Sequence, residues 1–329
     1  MNNNVAIIGS GSWGTALGIH LANKGLNVKV WSFSEDEAKM MNEDRKSAFL
    51  PNVVIPENMQ CYTGFEDVLR DVELVIHVTP SKFFRDTVKK YKEYINENHV
   101  IVICSKGFES DTLMTLDDVL KEELPNNKIG VLSGPSHAEE VSIEIPTALV
   151  AASEDEYVND LVRETFKSNK LRIYTSKDVK GVELGGALKN IIAFCAGMSV
   201  GLNLGDNTLA ALATRGLVEI ARLGTALGGN EKTFYGLSGL GDLIVTCNSM
   251  HSRNRRAGMA IGQGKTLDQA RQEIGQVIES VDNIEVAYKL SKKMNIEMPI
   301  VDTVYNILYN GLDPKEAVNM LMTRDLKEE

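Results

Sequence analysis

One lysine sits where its neighbours give no reason for a charge. Residues 183–199 read ELGGALKNIIAFCAGMS. At about 100° per residue, Leu184, Leu188, Ile191, Ile192 and Cys195 share one helical face. Lys189 falls instead in a stripe of Val182, Gly185, Gly186, Ala193 and Ala196, with no acidic residue three or four positions away. Each glycine costs a helix about 1 kcal/mol relative to alanine, so the pair implies that another part of the chain comes close. On an open surface Lys189 is a solvated ammonium; beside a carbonyl it is a proton donor. Lys106 closes the apolar run HVIVICSKG (99–107) and is either a solvated turn residue or a second site cation. The run HSRNRR (251–256) sets Arg253 between Ser252 and Asn254. A guanidinium fork beside hydroxyl and amide donors suits one phosphate. In GLSGLGDLIVTC (236–247), Asp242 heads a short apolar helix after a glycine-rich turn.

The elements that must hold these residues are legible in the first half. Val5–Ile8 is a β-branched apolar run, followed by Gly9-Ser-Gly11-Ser-Trp-Gly14, a helical stretch closed by Gly25, and a second strand over Asn27–Phe33. Strand, G-x-G-x-x-G, helix, strand is the context of a dinucleotide site. The first glycine permits the tight turn, the second lets backbone N–H groups approach a pyrophosphate, and the third lets helix and strand pack closely. Continuous apolar runs at 72–80, 99–107 and 128–136 predict further parallel strands covered on both faces. Each ends in small polar residues: Thr79-Pro80, Ser105-Lys106-Gly107 and Gly134-Pro135-Ser136. Ligands of an open α/β sheet sit outside such strand ends. Ser136-x-x-Glu139 also fits a capping box. The second strand closes with Ser32-Phe33-Ser34, without the carboxylate that would bind an NAD ribose and without an arginine for a 2′-phosphate.

The strand pattern fades near Thr175–Lys180, and the rest reads as helix. Residues 208–228 carry apolar residues at i, i+3, i+4 spacing and end in Gly228-Gly229. Asp313-Pro314-Lys-Glu316 is a helix start with Asp as cap and Pro at the first position. We therefore expect an α/β domain with a doubly wound, mostly parallel sheet over 1–178, and an all-α substrate-binding and catalytic domain over 179–329. At 329 residues the chain has room for both. The 45 acidic residues against 35 basic ones, net −10, speak against nucleic acid or an anionic membrane as partner. Four dispersed cysteines with no C-x-x-C pair or His at metal spacing predict reduced thiols and no metal. No secretory leader and no apolar run of membrane-spanning length is evident, which predicts a cytoplasmic protein.

GSGSWGTAL, SKG, LSGPSHAEE, GVELGGALKNIIA, TRGLVEIARLG, GLGDLIVTC and HSRNRRAG, in this order, closely resemble bacterial-type NAD(P)-dependent glycerol-3-phosphate dehydrogenase. The resemblance covers nearly the whole chain. It implies a Rossmann domain followed by a helical domain of the 6-phosphogluconate dehydrogenase type. It also implies reversible reduction of dihydroxyacetone phosphate to sn-glycerol 3-phosphate for phospholipid synthesis, with NADP or NAD as cofactor, NADP slightly favoured, and a homodimer. Carried over by position, Lys189 resembles the acid/base, with Lys106 and Asp242 beside it as catalytic residues. Gly134, Ser136, Ser252, Arg253 and Asn254 join those three in the substrate set. Gly9, Gly11, Ser12, Trp13 and Gly14 resemble the cofactor loop; Phe33, Lys106, Ala138, Arg253, Val277 and Glu279 resemble further cofactor contacts. Near Phe33-Ser34 many relatives carry His or Arg, so this chain departs there. Burial beside Lys106 and Arg253 would make the Lys189 proton easier to release. A reductase of 2-keto acids, ketopantoate type, or a non-catalytic dinucleotide sensor are the alternatives.

Overall fold

The computed structural model describes residues 3–325. Eight strands form one sheet: β1 (Asn4–Ile8), β2 (Asn27–Trp31), β3 (Met59–Tyr62), β4 (Leu74–His77), β5 (Val100–Ile103), β6 (Lys128–Ser133), β7 (Thr147–Ala152) and β8 (Leu171–Ser176). Their order is β3-β2-β1-β4-β5-β6-β7-β8. Every neighbouring pair is parallel except β6 and β7, where Leu132 faces Ala151 in antiparallel register. The central strands β4 and β5 are buried along their whole length, as expected for strands covered on both faces. The strand order reverses beside β1, between β2 and β4, and a crevice at such a switch point is where this architecture takes ligands. β1 ends at Ile8 as expected, whereas β2, β4, β5 and β6 stop short of the ends of their expected runs, before the small polar residues that follow.

The first helix, Ser12–Asn23, ends as expected. Gly25 has φ +91°, its N–H donates to Ala22 O, and Leu26 N–H donates to Leu21 O, closing the orphan carbonyls. Asp313 accepts from the N–H groups of Lys315 and Glu316 to start the helix Pro314–Met322. The long helix expected over 208–228 spans Asp206–Ala226. The capping box at Ser136 does not form: His137 is the cap of the short helix Ala138–Val141, and Ser136 Oγ donates back to Gly134 O at 2.9 Å. A left-handed glycine at 134 turns the chain first, so the hydroxyl finds that carbonyl rather than the helix start.

The described residues fall into two compact units, one comprising the chain through Glu109 with Met114–Glu183, the other Ser110–Leu113 with Leu184 onward. The dividing point lies within the 23-residue helix Val179–Gly201. In the first unit Glu183 Oε1 accepts from the N–H groups of Leu116 (2.7 Å) and Asp117 (3.2 Å), starting the helix Leu116–Glu123. In the second unit the Lys189 helix has no solvent face; residues 184 to 199 are all buried. The division into an apolar and a small-residue face therefore does not separate core from surface. By length and composition alone the helix would also pass for one able to cross a membrane, but 83% of its most apolar stretch is buried inside the protein. Its surroundings explain it: a helix apolar all round is covered all round by protein.

Glycines set how close that cover comes. A Cβ on Gly185 would lie 2.9 Å from Ser238 O, in the π turn Leu237–Gly241. One on Gly258 would lie 1.8 Å from Phe194 O, so the helix Arg253–Gly262 crosses the Lys189 helix backbone on backbone. A second clamp holds the helix Pro299–Tyr309: the buried Glu219 carboxylate accepts from Ile300 N at 2.8 Å and Val301 N at 3.2 Å. Burial pushes this carboxyl up to about 7, against the pull of those two N–H groups.

Candidate active site

In the sheet-bearing unit the glycine loop has the form its spacing predicts. Gly9 adopts φ +125° and a Cβ there would meet the Val78 backbone at 3.2 Å. A Cβ on Gly14 would lie 2.0 Å from Gly9 O, so only glycine lets the helix sit this close. At Gly11 a Cβ would find nothing within 4 Å. That open space adjoins a helix start, Ser12–Asn23, with no side-chain cap, where N–H groups and the helix dipole favour an anion. These residues fit a dinucleotide pyrophosphate. Ser12 and Trp13 form the first turn of the helix, both half-buried, and Phe33 is 80% exposed just beyond β2.

Lys106, Gly134 and Ser136 come together beyond the carboxyl ends of β5 and β6. Lys106 Nζ lies 3.5 Å from Gly134 O, the carbonyl that also accepts from Ser136 Oγ. Gly134 holds φ +136° with Leu149 and Ala148 pressed against it. Ala138 is buried four residues on.

In the helical unit Lys189 is 6% exposed and Asp242 2%. Lys189 Nζ donates to Asp242 Oδ1 at 3.0 Å and to Thr246 Oγ1 at 2.6 Å. Thr246 Oγ1 in turn donates to Asp242 O at 2.6 Å. The partner missing from the lysine's own helix thus comes from 53 residues away, on the helix Asp242–Asn248. Sequence reading left Thr246 out, although Asp242 and Thr246 stand four apart on one helical face, the spacing at which two side chains serve one ligand. Cys247 beside them is no nucleophile at neutral pH: burial pushes its thiol up to about 12, more than Lys189 pulls it down.

The phosphate-type cluster is ordered by its own helix. Ser252 caps Arg253–Gly262, its Oγ accepting from Arg255 N at 3.1 Å. Asn254 Oδ1 accepts from Ser280 N at 3.0 Å, which turns the amide and leaves its two N–H donors for another partner. Arg253 Nη1 donates to Gln276 Oε1 at 3.1 Å, next to Val277. Asn190, adjacent to Lys189, donates to Glu279 Oε2 at 3.1 Å, and Asn283 Nδ2 donates to Ala187 O at 3.0 Å. Asn190 and Asn283 thus fasten 279–283 to the Lys189 helix, while Asn254 holds Ser280 and Gln276 holds Arg253. Gln276, Asn190 and Asn283 were not singled out in the sequence, because a lone amide gives no periodic or charge signal.

Known proteins resemble this chain along nearly its whole length. Residues 4–159 match the model of the NAD-dependent glycerol-3-phosphate dehydrogenase N-terminus and residues 178–319 that of its C-terminus. The glycerol-3-phosphate dehydrogenase, NAD(P)+, of Clostridium tetani is 47% identical over 326 residues, covering 99% of this chain and 93% of its own. Its Clostridium perfringens counterpart is 48% identical, covering 99% and 98%. The crystal structure of glycerol-3-phosphate dehydrogenase from Coxiella burnetii superposes with a TM-score of 0.95 at 40% identity, covering 98% of this chain and 99% of that one. A ketopantoate reductase from Ralstonia eutropha, at 14% identity and a TM-score of 0.61, shares the fold alone. With both family models matched, together over most of the chain, and relatives this similar along the whole length, the chain belongs to the NAD-dependent glycerol-3-phosphate dehydrogenase family.

Proposed function

We propose that the protein catalyses the reversible, NAD(P)H-dependent reduction of dihydroxyacetone phosphate to sn-glycerol 3-phosphate. The observation that carries this reading is the buried Lys189 ammonium, fixed by Asp242 and Thr246 on motifs shared with the family. The names of the full-length relatives support the activity and the cofactor pair. Nicotinamide, when bound, supplies hydride to the carbonyl carbon. Lys189 delivers the proton to the carbonyl oxygen, where negative charge develops in the transition state. Asp242 orients the amine, since its carboxylate already accepts from Nζ. Arg253, the Ser252 hydroxyl and the Asn254 amide N–H groups take the phosphate, which fixes the carbonyl for attack. Lys106 adds positive charge, while Gly134 and Ser136 shape its loop. By the family resemblance, Gly9, Gly11, Ser12, Trp13, Gly14, Phe33, Ala138, Val277 and Glu279 are the residues that would hold the dinucleotide.

We assign dinucleotide binding to residues 1–178 and substrate binding to 179–329. Phospholipid precursor supply, a cytoplasmic location and a homodimer belong to the same reading and rest on the family resemblance. The experiment is a spectrophotometric assay with dihydroxyacetone phosphate and each reduced nucleotide. Lys189→Ala is expected to lower kcat at least about 100-fold, and near-normal turnover in the folded variant removes the lysine from the mechanism. Arg253→Ala is expected mainly to raise KM for the ketone; an unchanged KM puts the phosphate elsewhere.

A further inference from the structure

The dinucleotide site poses a chemical choice: whether the adenosine ribose bears a 2′-phosphate. In a doubly wound fold the residues that decide it follow the second strand, where a carboxylate takes the 2′-hydroxyl or an arginine takes the phosphate. Here β2 ends at Trp31 and the chain continues Ser32-Phe33-Ser34-Glu35-Asp36-Glu37. This stretch is tied to the glycine loop, since Gly9 N donates to Trp31 O at 3.1 Å and Ser10 Oγ to Ser32 Oγ at 2.9 Å. Ser32 Oγ also accepts from Ser34 N at 3.2 Å, and Ser34 Oγ caps the next helix by accepting from Glu37 N at 3.3 Å. Both hydroxyl oxygens accept within the loop.

What remains at this rim is acidic. Phe33 brings no charge, and Glu35 and Asp36 are exposed. A cavity of about 300 Å³ opens at the carboxyl ends of β2 and β3, with Glu35 and Asp67 as the charged residues in its wall beside Tyr62 and Thr63. Arg70 pairs with Glu66 (3.2 Å) and Asp67 (3.3 Å), Lys39 with Glu43 (3.9 Å), and Lys29 donates to Arg70 O (2.6 Å). No lysine or arginine lies between Trp31 and Glu37.

We propose that this chain takes NADH in preference to NADPH, with Glu35 and the uncharged Phe33 as the residues that set the choice. The inference rests on the dinucleotide reading above and reverses the slight lean toward NADP that the resemblance gave. A 2′-phosphate would bring nearly two negative charges to a rim that already carries like charge, which repels the wrong ligand more than it weakens the right one. A 2′-hydroxyl instead donates to a carboxylate at no such cost.

Calorimetric titration of the full chain with NADH and with NADPH, at about 0.1 M salt, tests it without turnover. NADH is expected to bind on the order of tenfold more tightly. Glu35→Lys and Phe33→Arg are each expected to shrink the NADH/NADPH affinity ratio roughly fivefold or more. Equal or tighter binding of NADPH by the unmodified chain overturns the inference, as does a ratio that neither substitution moves. Should neither nucleotide bind, the dinucleotide reading falls together with it. Selective NADH binding without reduction of dihydroxyacetone phosphate sinks only the proposed activity and leaves the inference standing.

Discussion

In the sheet-bearing unit, Lys106, Gly134 and Ser136 meet through backbone: a left-handed glycine turns the chain, and one carbonyl collects both polar side chains. In the helical unit, Lys189 meets Asp242 and Thr246 through side chains, deep inside the protein, across 53 residues of sequence. The first cluster costs the fold little, because its half-buried polar groups lie on loops beyond strand ends. The second removes two opposite charges from water, and such a pair is strongly interdependent. The same type of residue, an isolated lysine, is thus held by loop geometry in one region and by tertiary packing in the other.

Substitutions can break or sharpen that contrast. Asp242→Ala should have the largest effect, a loss of about 3–5 kcal/mol in urea unfolding, because the Lys189 charge stays buried without its carboxylate. A loss below roughly 1 kcal/mol would mean that the pair behaves like a surface contact and the contrast is false. Next comes a pH dependence in the helical unit. Glu219 stands at about 7 when folded against a usual 4.5. A raised folded value means that its contribution is full below pH 4.5 and is lost as pH rises through 7. Between pH 4.5 and 8 the native protein should therefore lose roughly 3 kcal/mol relative to Glu219→Gln. Parallel pH profiles for the two proteins would show that the carboxyl is not held this way.

Gly134→Ala follows, with an expected cost of about 1–3 kcal/mol for forcing a side chain into φ +136° against Leu149. Calorimetric melting of the folded variant checks it, and an unchanged Tm would show that the loop relaxes freely. Ser136→Ala should be the smallest, within about 1 kcal/mol, since only its hydroxyl bond to the Gly134 carbonyl is removed. A larger loss would place Ser136 among the groups that hold the fold.

What could be read from the residues follows the same division. The glycine loop, the Gly25 helix end and the Asp313 cap were legible because each is a local rule, satisfied by residues within five positions of one another. Ser136 shows the limit of such rules. Its spacing to Glu139 suits a cap, but the turn at Gly134 comes first and claims the hydroxyl. The antiparallel entry of β7 was not legible either, since its apolar run would serve a strand of either direction. Nor could sequence alone show that Lys189 is buried, because its carboxylate, its threonine and its covering helices all come from later in the chain. The glycine pair gave the one usable hint, that something must approach, and that something is the turn at Ser238.

The helix Val179–Gly201 has a consequence for synthesis. It leaves the ribosome before residues 206–325, which include the segments pressed against its glycines, and at ordinary elongation rates the interval is on the order of ten seconds. During that time a greasy segment of membrane-spanning length lacks that part of its shelter. Nascent chains of this protein are then expected to be chaperone clients, most vulnerable to clumping or mistargeting when translation pauses soon after Gly201.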